Sequence, residues 1–437
     1  MSDIVLIVTV LISFIFLLLS GLYLNSVLLA IGAFGLIFLE GYSSLKGFLG
    51  SAPFTSSASY TLTTIPLFVL MAQFILQSGI VKDIFDVAHR LSRGRSTVLG
   101  VMTIIAGGFL GAVSGSGTAT SSALGQAAIP ELKQYGYKSD LAGSIAAIGG
   151  SLSSIIPPSI GLILYGVITQ TAVGDLFIAA TVPGVLLMVV FAITLVIIYR
   201  YDRTKTAENE EATAEKVELS TYRATIAIIV SIFIIIVIFG GIYSGIMTPT
   251  EAGGVGAFAA FIAAGALGKI NLKFIKVSIV ETINVNVMVM LIFIGANVFG
   301  KFISLSLLPR KLENLIAPLL EFPFIVLIII GIFFFIMFMF IEAAAVILMS
   351  MPVLLPIIES IHVDVIWFGV FTALLATIGM ITPPVGLSVY GVSGPMKIPS
   401  ESIFRYTLIF AIVATIVVGG IMILFPEITA WLPSYIN

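Results

Sequence analysis

Four short segments interrupt the apolar runs of this 437-residue chain, and their residue types suit the binding of a hard cation. Two are proline pairs, Ile155-Ile-Pro-Pro-Ser159 and Thr382-Pro-Pro384, and a third is the small-residue run Ser114-Gly-Ser-Gly117. The fourth, Ile341-Glu342, puts a carboxylate inside a strongly apolar stretch. Proline removes an amide donor and clashes with the preceding helical turn, so each pair frees backbone carbonyl oxygens. Carbonyl, hydroxyl and carboxylate oxygens are the ligands that hard cations prefer.

These oxygens group into two candidate sodium cages, which predict two or more coupling ions. The first cage would use carbonyls freed at residues 114–117 and 151–156, together with nearby hydroxyls. Its candidate ligands are Ser114, Gly115, Ser116, Gly117, Thr118, Ser151, Ile155 and Pro157. The second cage would use carbonyls near residues 376–381, two hydroxyls and a carboxylate. Its candidate ligands are Glu342, Thr377, Gly379, Thr382 and Pro383.

Most of these residues also have a simple structural explanation. Serine and glycine are common in membrane helices because they let helices pack closely, so packing explains Ser114, Ser116 or Thr118 as well as ligation does. Glu342 differs, because a carboxylate at membrane depth is costly and is usually a ligand or a proton relay. The run Thr248-Pro-Thr-Glu251 is best explained as a capping box that starts a helix.

Two half-helices are predicted to begin directly after the proline pairs, at Ser159 and Val385. Helix N-termini carry partial positive charge, so two of them directed at one centre favour an anionic substrate. The candidate substrate-binding residues are Pro158, Ser159, Ile160, Pro384, Val385 and Gly386.

The composition predicts that membrane helices hold these segments. Hydrophobic residues make up 59% of the chain and charged residues 10%, against about 25% charged in average proteins. A net charge of −2 without a basic patch argues against a nucleic-acid partner. The chain has no cysteine, and its two histidines, His89 and His362, are far apart, which disfavours a metal pair. No nucleotide-binding P-loop occurs, so energy must come from an ion gradient or from another subunit.

Clusters of lysine and arginine at 82–95, 133–138, 200–223 and 269–276 mark the cytoplasmic side. They predict an all-α polytopic membrane protein with about ten full crossings and two re-entrant hairpins. One hairpin, at about 97–130, enters from the cytoplasm and precedes a broken helix at 140–172. The other, at about 324–356, enters from outside and precedes a broken helix at 365–396. The first hairpin is inferred because its return arm, 118–130, is about 20 Å long and too short to cross.

The hairpins and broken helices recur at a single offset. A shift of 226 positions places Pro130 on Pro356, the proline pair at 157–158 on that at 383–384, and Ser116 on Glu342. The chain therefore divides into a first repeat at 1–199, a cytoplasmic linker at 200–222 and a second repeat at 223–437. Five crossings in each repeat, an odd number, require the two repeats to be inverted. Inverted repeats with broken helices at the midplane are typical of secondary transporters.

The orientation of the ends follows from the same count. Three spans precede the first basic cluster, so the N-terminus is expected outside, and the C-terminus as well. The N-terminal apolar run lacks a basic region before it and a cleavage pattern after it, so it is interpreted as an uncleaved anchor.

The motifs resemble the large membrane subunit of TRAP (tripartite ATP-independent periplasmic) transporters. The matching stretches, from about residue 60 to 390, are Gly111-Ala-Val-Ser-Gly-Ser116, Ile155-Ile-Pro-Pro-Ser-Ile160, Tyr165-Gly166, Asp175-Leu-Phe177, Pro183-Gly184, Thr248-Pro-Thr-Glu-Ala252, Ile378-Gly379 and Thr382-Pro-Pro-Val-Gly386. The resemblance implies a sodium-driven, elevator-type importer of a small organic anion, such as a dicarboxylate or sialic acid, in a bacterial or archaeal inner membrane. It also implies two partners, a small four-helix membrane subunit and a periplasmic substrate-binding protein. The family's sodium sites correspond here to residues 114–118, 151–159, 342 and 377–386.

Two departures from the family pattern concern the second cage. The family usually has Asp at the position of Glu342 and tends to have Asn at the position of Leu375, so this cage is expected to differ in detail. Two other functions stay open. One is a channel, or a secondary transporter of the same inverted-repeat superfamily that works without a binding protein. The other is a membrane enzyme with Glu342 as its acid/base, disfavoured because no nucleophile, histidine or metal cluster accompanies Glu342.

Overall fold

The computed structural model describes residues 8–10, 12–14, 16–17, 20–92, 95–206 and 221–436. The regular elements in these ranges are helices, and seven of the described helices are long and apolar enough to cross a membrane. The prediction of an all-α polytopic membrane protein is confirmed. Two of the seven, Pro323–Phe340 and Ala343–Ser360, are the arms of the hairpin predicted at 324–356. The other predicted crossings consist of shorter helices, of the less apolar helix Pro249–Ala266, or of the N-terminal run at 4–20, which is described only in part. Most of the linker predicted at 200–222 lies outside the described residues.

The helices of the first half surround one hairpin and one broken helix. From residue 24 onward they are α1 (Leu24–Glu40), α2 (Tyr42–Ser57), α3 (Thr64–Ser78), α4 (Ile80–Ser92), α5 (Ser96–Ser114), α6 (Gly117–Gln134), α7 (Ser139–Ser151), α8 (Ile160–Thr169) and α9 (Val173–Thr206). Here α5 and α6 form hairpin 1, with tip 1 at residues 114–117. Break 1 is the interruption at residues 152–159 between α7 and α8.

The second half follows the same order. Its helices are α10 (Thr221–Ile235, extended by a π-helical turn at Ile236–Gly240 and by Gly241–Tyr243), α11 (Pro249–Ala266), α12 (Leu272–Leu305), α13 (Leu308–Leu320), α14 (Pro323–Phe340), α15 (Ala343–Ser360), α16 (Val365–Gly379), α17 (Leu387–Met396) and α18 (Ser400–Ala414, extended by a π-helical turn at Thr415–Gly419 and by Gly420–Leu424). Here α14 and α15 form hairpin 2, with tip 2 at residues 341–342. Break 2 is the interruption at residues 380–386 between α16 and α17.

The helix bounds repeat at the offset of 226. Adding 226 to the bounds of α6 gives 343 and 360, which are the bounds of α15. The packing repeats as well. Helix α1 lies against α12 while its counterpart α11 lies against α3, and α6 lies against α17 while α15 lies against α8. Each half therefore completes its helix pairs with helices of the other half.

The two breaks meet where a two-fold axis relating the halves would pass. The Ser154 hydroxyl donates a hydrogen bond to the sulfur of Met380 at 3.2 Å, and these two residues are 226 positions apart. Residues related by a two-fold operation can touch only close to the axis. The inversion of one repeat relative to the other stays a prediction, and this contact supports it.

The return arms of both hairpins are longer than predicted. Helix α6 continues past Pro130 to Gln134, and α15 continues past Pro356 to Ser360, so the predicted ends at 130 and 356 are wrong. Each arm has 18 residues, about 27 Å of helix, so its length alone no longer argues for re-entry. The helices continue because a proline removes only one amide donor, and the next residues still find carbonyls one turn back.

The half-helices after the breaks begin later than predicted. Helix α8 begins at Ile160 because Ser159 is extended and acts as its N-cap. Helix α17 begins at Leu387 because Gly386 before it has φ +56°, a left-handed conformation that glycine adopts without strain. The predicted starts at Ser159 and Val385 are therefore one and two residues early.

Helices α4 and α13 are amphipathic and lead directly into the two hairpins. Helix α12 continues to Leu305, and α13 begins at Leu308. In the first half, the carboxylate of Asp83 on α4 is only 3% exposed and pairs with Arg223 on α10. Arg223 Nε donates to Oδ1 at 3.2 Å and Nη2 donates to Oδ2 at 3.1 Å. This two-point ion pair ties α4 to the first helix of the second half.

The capping box predicted at the start of α11 is confirmed. The Thr248 hydroxyl accepts from Glu251 N at 3.3 Å, and Thr248 N donates to Glu251 Oε2 at 2.8 Å. The Thr248 hydroxyl also donates to Glu251 Oε2 at 2.9 Å, so one residue before the helix and one in its first turn satisfy each other's polar groups.

Glycines let hairpin 1 pack tightly on the helix before break 1. A Cβ atom on Gly107 of α5 would lie 2.6 Å from the Cα of Gly149 on α7. The positions 226 residues further on hold Phe333 and Leu375, so this glycine contact is not repeated in hairpin 2. The two hairpins share a path but not their packing.

Replacing Gly107 by alanine is expected to lower the thermal unfolding midpoint of the purified protein in detergent. The new Cβ would meet backbone, which cannot move aside as a flexible side chain can, and such overpacking costs about 1–3 kcal/mol. The matched control is Gly254→Ala in α11, where the nearest atom would be 4.0 Å away. Equal midpoints for the two variants would contradict the close contact of α5 with α7.

Candidate functional site

Tip 1 is shaped by a left-handed glycine. Helix α5 ends at Ser114, Gly115 turns the chain with φ +61°, and Ser116 is the N-cap of α6. The Ser114 hydroxyl bonds the hydroxyl of Thr120, which donates to the carbonyl of Ser116 at 2.8 Å. The Ser116 hydroxyl makes no capping hydrogen bond. The tip therefore concentrates hydroxyl and carbonyl oxygens within one turn of chain.

Break 1 is a 3-10 turn, Leu152–Ser154, followed by the proline pair. Ile155 N donates to Leu152 O at 3.1 Å, which closes the turn. The Ser159 hydroxyl donates to Ser154 O at 2.8 Å and accepts from Leu162 N at 3.4 Å. One serine thus spans the break and caps α8.

Tip 2 has a carboxylate where tip 1 has a hydroxyl. Glu342 is the N-cap of α15, yet its side chain makes no capping hydrogen bond. Its backbone carbonyl accepts from Ala345 N and Val346 N, both at 3.1 Å. Within the described ranges, its carboxylate has no hydrogen-bond or ion-pair partner. A half-buried carboxylate at membrane depth is costly alone, so it calls for a bound cation or a proton.

Break 2 returns the chain to tip 2. Gly386 N donates to Met339 O, in the last turn of α14, at 3.0 Å. The hydroxyls of Thr377 and Thr382 donate to carbonyls one turn back, at 2.8 Å and 2.7 Å. A hydroxyl that donates in this way keeps its oxygen lone pairs, so both threonines stay available as cation ligands.

The tips and breaks of the two halves converge. A Cβ on Gly115 of tip 1 would lie 3.0 Å from the Ile160 side chain at the start of α8. A Cβ on Gly161 would lie 3.8 Å from the Cβ of Ala343, the first residue after tip 2. Tip 1 and tip 2 therefore both adjoin the N-terminus of α8.

The sequence between residues 11 and 428 matches the family described as the tripartite ATP-independent periplasmic transporter, DctM component. This chain belongs to that family. The resemblance stated from the motifs is confirmed, and the relatives of this TRAP large permease are named as transporter permeases rather than enzymes.

Two curated relatives illustrate the similarity. The chain is 30% identical over 378 residues to the sialic acid TRAP transporter large permease of Vibrio cholerae, covering 86% of this chain and 87% of that protein. It is 30% identical over 392 residues to the C4-dicarboxylate TRAP transporter large permease of Pseudomonas aeruginosa, covering 88% of each. Among solved structures, the YdaH transporter of Alcanivorax borkumensis is similar in fold alone. Its TM-score is 0.68 at 13% sequence identity, over 93% of this chain and 98% of that chain.

In this TRAP large permease, several predicted site residues do not face the place where the tips and breaks converge. Ser151 lies before break 1, where its hydroxyl donates to Ile148 O at 2.9 Å. Pro384 is exposed. Pro157 and Pro158 line a cavity of about 260 Å³ between α5, α9 and α10 whose other walls are mostly apolar. The proline rings therefore face mostly apolar side chains, which cannot bind a carboxylate.

A larger cavity, of about 600 Å³, lies away from the tips and breaks. It adjoins the start of hairpin 2 and the C-terminal segment, and its lining includes Phe324, His362 and Glu427. Its size alone does not make it the site, because the unpaired carboxylate and the irregular backbone are elsewhere.

Four residues at the convergence were not named among the candidate ligands, although three of them lie within the ranges 151–159 and 377–386 that were expected to hold sodium. They are Ser153, Ser154, Met380 and Ser388. The hydroxyls of Ser153 and Ser388 are buried without a hydrogen-bond partner in the described part of the chain. The run Ser151-Leu-Ser-Ser154 is a signal that could have indicated the first two. Met380 and Ser388 carry no such signal, since only the packing of the two halves brings them to tip 1.

Glu342→Gln and Ser116→Ala are each expected to raise the sodium concentration needed for half-maximal uptake, Glu342→Gln by about tenfold or more. Losing a charged ligand costs at least about 1.4 kcal/mol, which is a factor of ten. The matched control is Glu359→Gln, an exposed carboxylate on the same helix α15. Unchanged sodium titrations in both site variants would contradict the two proposed cages.

Proposed function

We propose that this TRAP large permease imports a small organic anion with the energy of a sodium gradient. The observation that carries the proposal is Glu342. Its carboxylate has no partner among the described residues, and Glu342 belongs to tip 2, which adjoins the start of α8. In a transporter subunit, an unpartnered carboxylate at membrane depth is best explained as a ligand of the coupling cation.

The donor set favours a singly charged, hard cation. Hydroxyl and carbonyl oxygens surround the tips, and the described residues contain no group of three His, Cys, Asp or Glu side chains that could hold a metal ion. A divalent ion usually takes several carboxylates, whereas one carboxylate balances one sodium ion. The first cage, built from neutral groups, would leave its ion with a net positive charge.

An anionic substrate fits beside these ions. The backbone amides of Ile160 and Gly161, at the N-terminus of α8, have no hydrogen-bond acceptor among the described residues. At break 2 the amides of Gly386 and Ser388 are already bonded to Met339 O and Met380 O. The start of α8 is therefore the better anion site. Relatives are named for sialic acid, C4-dicarboxylates and 2,3-diketo-L-gulonate, each of which carries a carboxylate.

The remaining parts of the proposal follow the family. We propose that the chain works in the inner membrane with both termini outside, beside a small four-helix membrane subunit. A periplasmic binding protein would deliver the anion. The elevator mechanism is supported by a two-part architecture, in which helix pairs α1–α12 and α3–α11 stand beside the two hairpins and the broken helices.

Uptake by proteoliposomes that contain this chain and the small subunit, with a loaded binding protein outside, is expected to depend on an inward sodium gradient. The physical reason is that cation and anion neutralise each other in a site of low dielectric. The control replaces sodium by potassium at equal ionic strength. Substrate flux that is independent of the sodium gradient would contradict the proposal. Sodium-driven flux without the binding protein would favour a secondary transporter that works alone.

A further inference from the structure

The Met380 side chain crosses from break 2 into the first half of the molecule. It is 2% exposed, and its sulfur accepts a hydrogen bond from Ser154 of break 1 at 3.2 Å. A Cβ on Gly117 of tip 1 would lie 2.6 Å from its terminal methyl carbon. Its backbone carbonyl accepts from Ser388 N at 3.0 Å, in the first turn of α17. One residue therefore contacts tip 1, break 1 and the helix that follows break 2.

The first half has no equivalent of this contact. Its counterpart at the offset of 226 is Ser154, whose short side chain donates its hydrogen bond to Met380 itself. Methionine is long, unbranched and flexible, and its sulfur is a weak hydrogen-bond acceptor. At the axis, the Met380 side chain of the second half thus contacts tip 1, whereas the first half contacts the second hairpin through the start of α8.

We propose that Met380 couples the two cation sites, so that an ion bound at the first site raises the affinity of the second. This inference rests on the proposed function. An ion held between tip 1 and break 1 fixes the positions of Gly117 and Ser154, which are the two surfaces that hold the Met380 side chain. Fixing that side chain fixes the backbone of break 2. The candidate ligands Gly379 and Thr382 lie one and two residues away.

The coupling must be reciprocal, because each ion changes the affinity for the other by the same factor. Couplings of this kind usually change affinity about 5- to 150-fold. A methionine that merely fills a gap would stabilise the fold without linking the two binding events. Cooperativity of sodium binding is therefore the property that separates the two roles.

The test is direct binding of radioactive sodium to the purified protein in detergent, with no substrate and no partner present. The Hill coefficient of the native chain is expected to exceed 1, and that of Met380→Ala is expected to fall to about 1 with a several-fold higher midpoint. A Hill coefficient unchanged by Met380→Ala would overturn the inference. Absence of any sodium binding by the native chain would instead contradict the proposed function itself.

A matched control distinguishes coupling from general loss of packing. Met71 on α3 is also fully buried, and its sulfur also lies against a glycine of the other half, Gly256 on α11. Met71→Ala is expected to lower the unfolding midpoint and to leave the Hill coefficient as it is. If Met71→Ala lowers the Hill coefficient as much as Met380→Ala does, the effect is general and the inference is wrong.

A second pair of variants tests the contact with tip 1. Gly117→Ala would displace the Met380 methyl group and is expected to lower the Hill coefficient. In the double variant with Met380→Ala the clash with the methyl group is gone and the Ser388 hydroxyl at 3.2 Å is the remaining close atom, so the second change should add little. Additive effects would contradict the contact as the route of coupling. If Met380→Ala does not fold, Ser154→Ala removes the hydrogen bond alone, whereas Met380→Leu removes that bond together with the terminal methyl group that lies against Gly117. Each is then expected to lower the Hill coefficient, Met380→Leu at least as much as Ser154→Ala, and no change in either would overturn the inference.

Discussion

An ionised carboxylate inside a membrane protein is costly unless a cation or a proton accompanies it, and irregular backbone at that depth must be enclosed by protein. Both conditions act on the same few residues here. Glu342 has no partner among the described residues, and the two breaks free backbone groups that lipid cannot satisfy. The fold meets both demands by placing tips and breaks against one another. The long helix pairs and the amphipathic helices α4 and α13 serve mainly to hold that arrangement.

The repeat duplicates the path of the chain but not its chemistry. At the offset of 226, Ser116 corresponds to Glu342 and Ser154 corresponds to Met380. On the proposed sodium sites, the second ion is neutralised by Glu342, while the first stays positive within neutral ligands. The amides of α8 lie beside tip 1, so the first ion and that helix end would attract the anion together. Because the two cages differ in charge, the anion has one preferred position, between the first cage and the N-terminus of α8.

Local signals explain what the sequence could predict. The proline pairs and the hydropathy breaks located both tips and both breaks, because a proline acts on the turn that contains it. Whether Pro130 or Pro356 ends a helix depends on what the following turn packs against, so those ends were wrong. The contact of Met380 with tip 1 joins residues from opposite halves, and no local pattern encodes such a distance. The offset of 226 does identify Ser154 and Met380 as a pair, but only once the axis is known to pass there.

The proposed elevator movement requires a boundary across which parts can slide. The 260 Å³ cavity behind break 1 is lined by α5 and the proline pair and by residues of α3, α4, α9 and α10, and its walls are mostly apolar. Apolar contacts are non-directional, so one set can replace another at little cost. The Asp83–Arg223 pair between α4 and α10 is different, because separating it would strand a carboxylate that is 3% exposed. On this argument α4 stays with the helix pairs, and hairpin 1 and the broken helix are the parts that move.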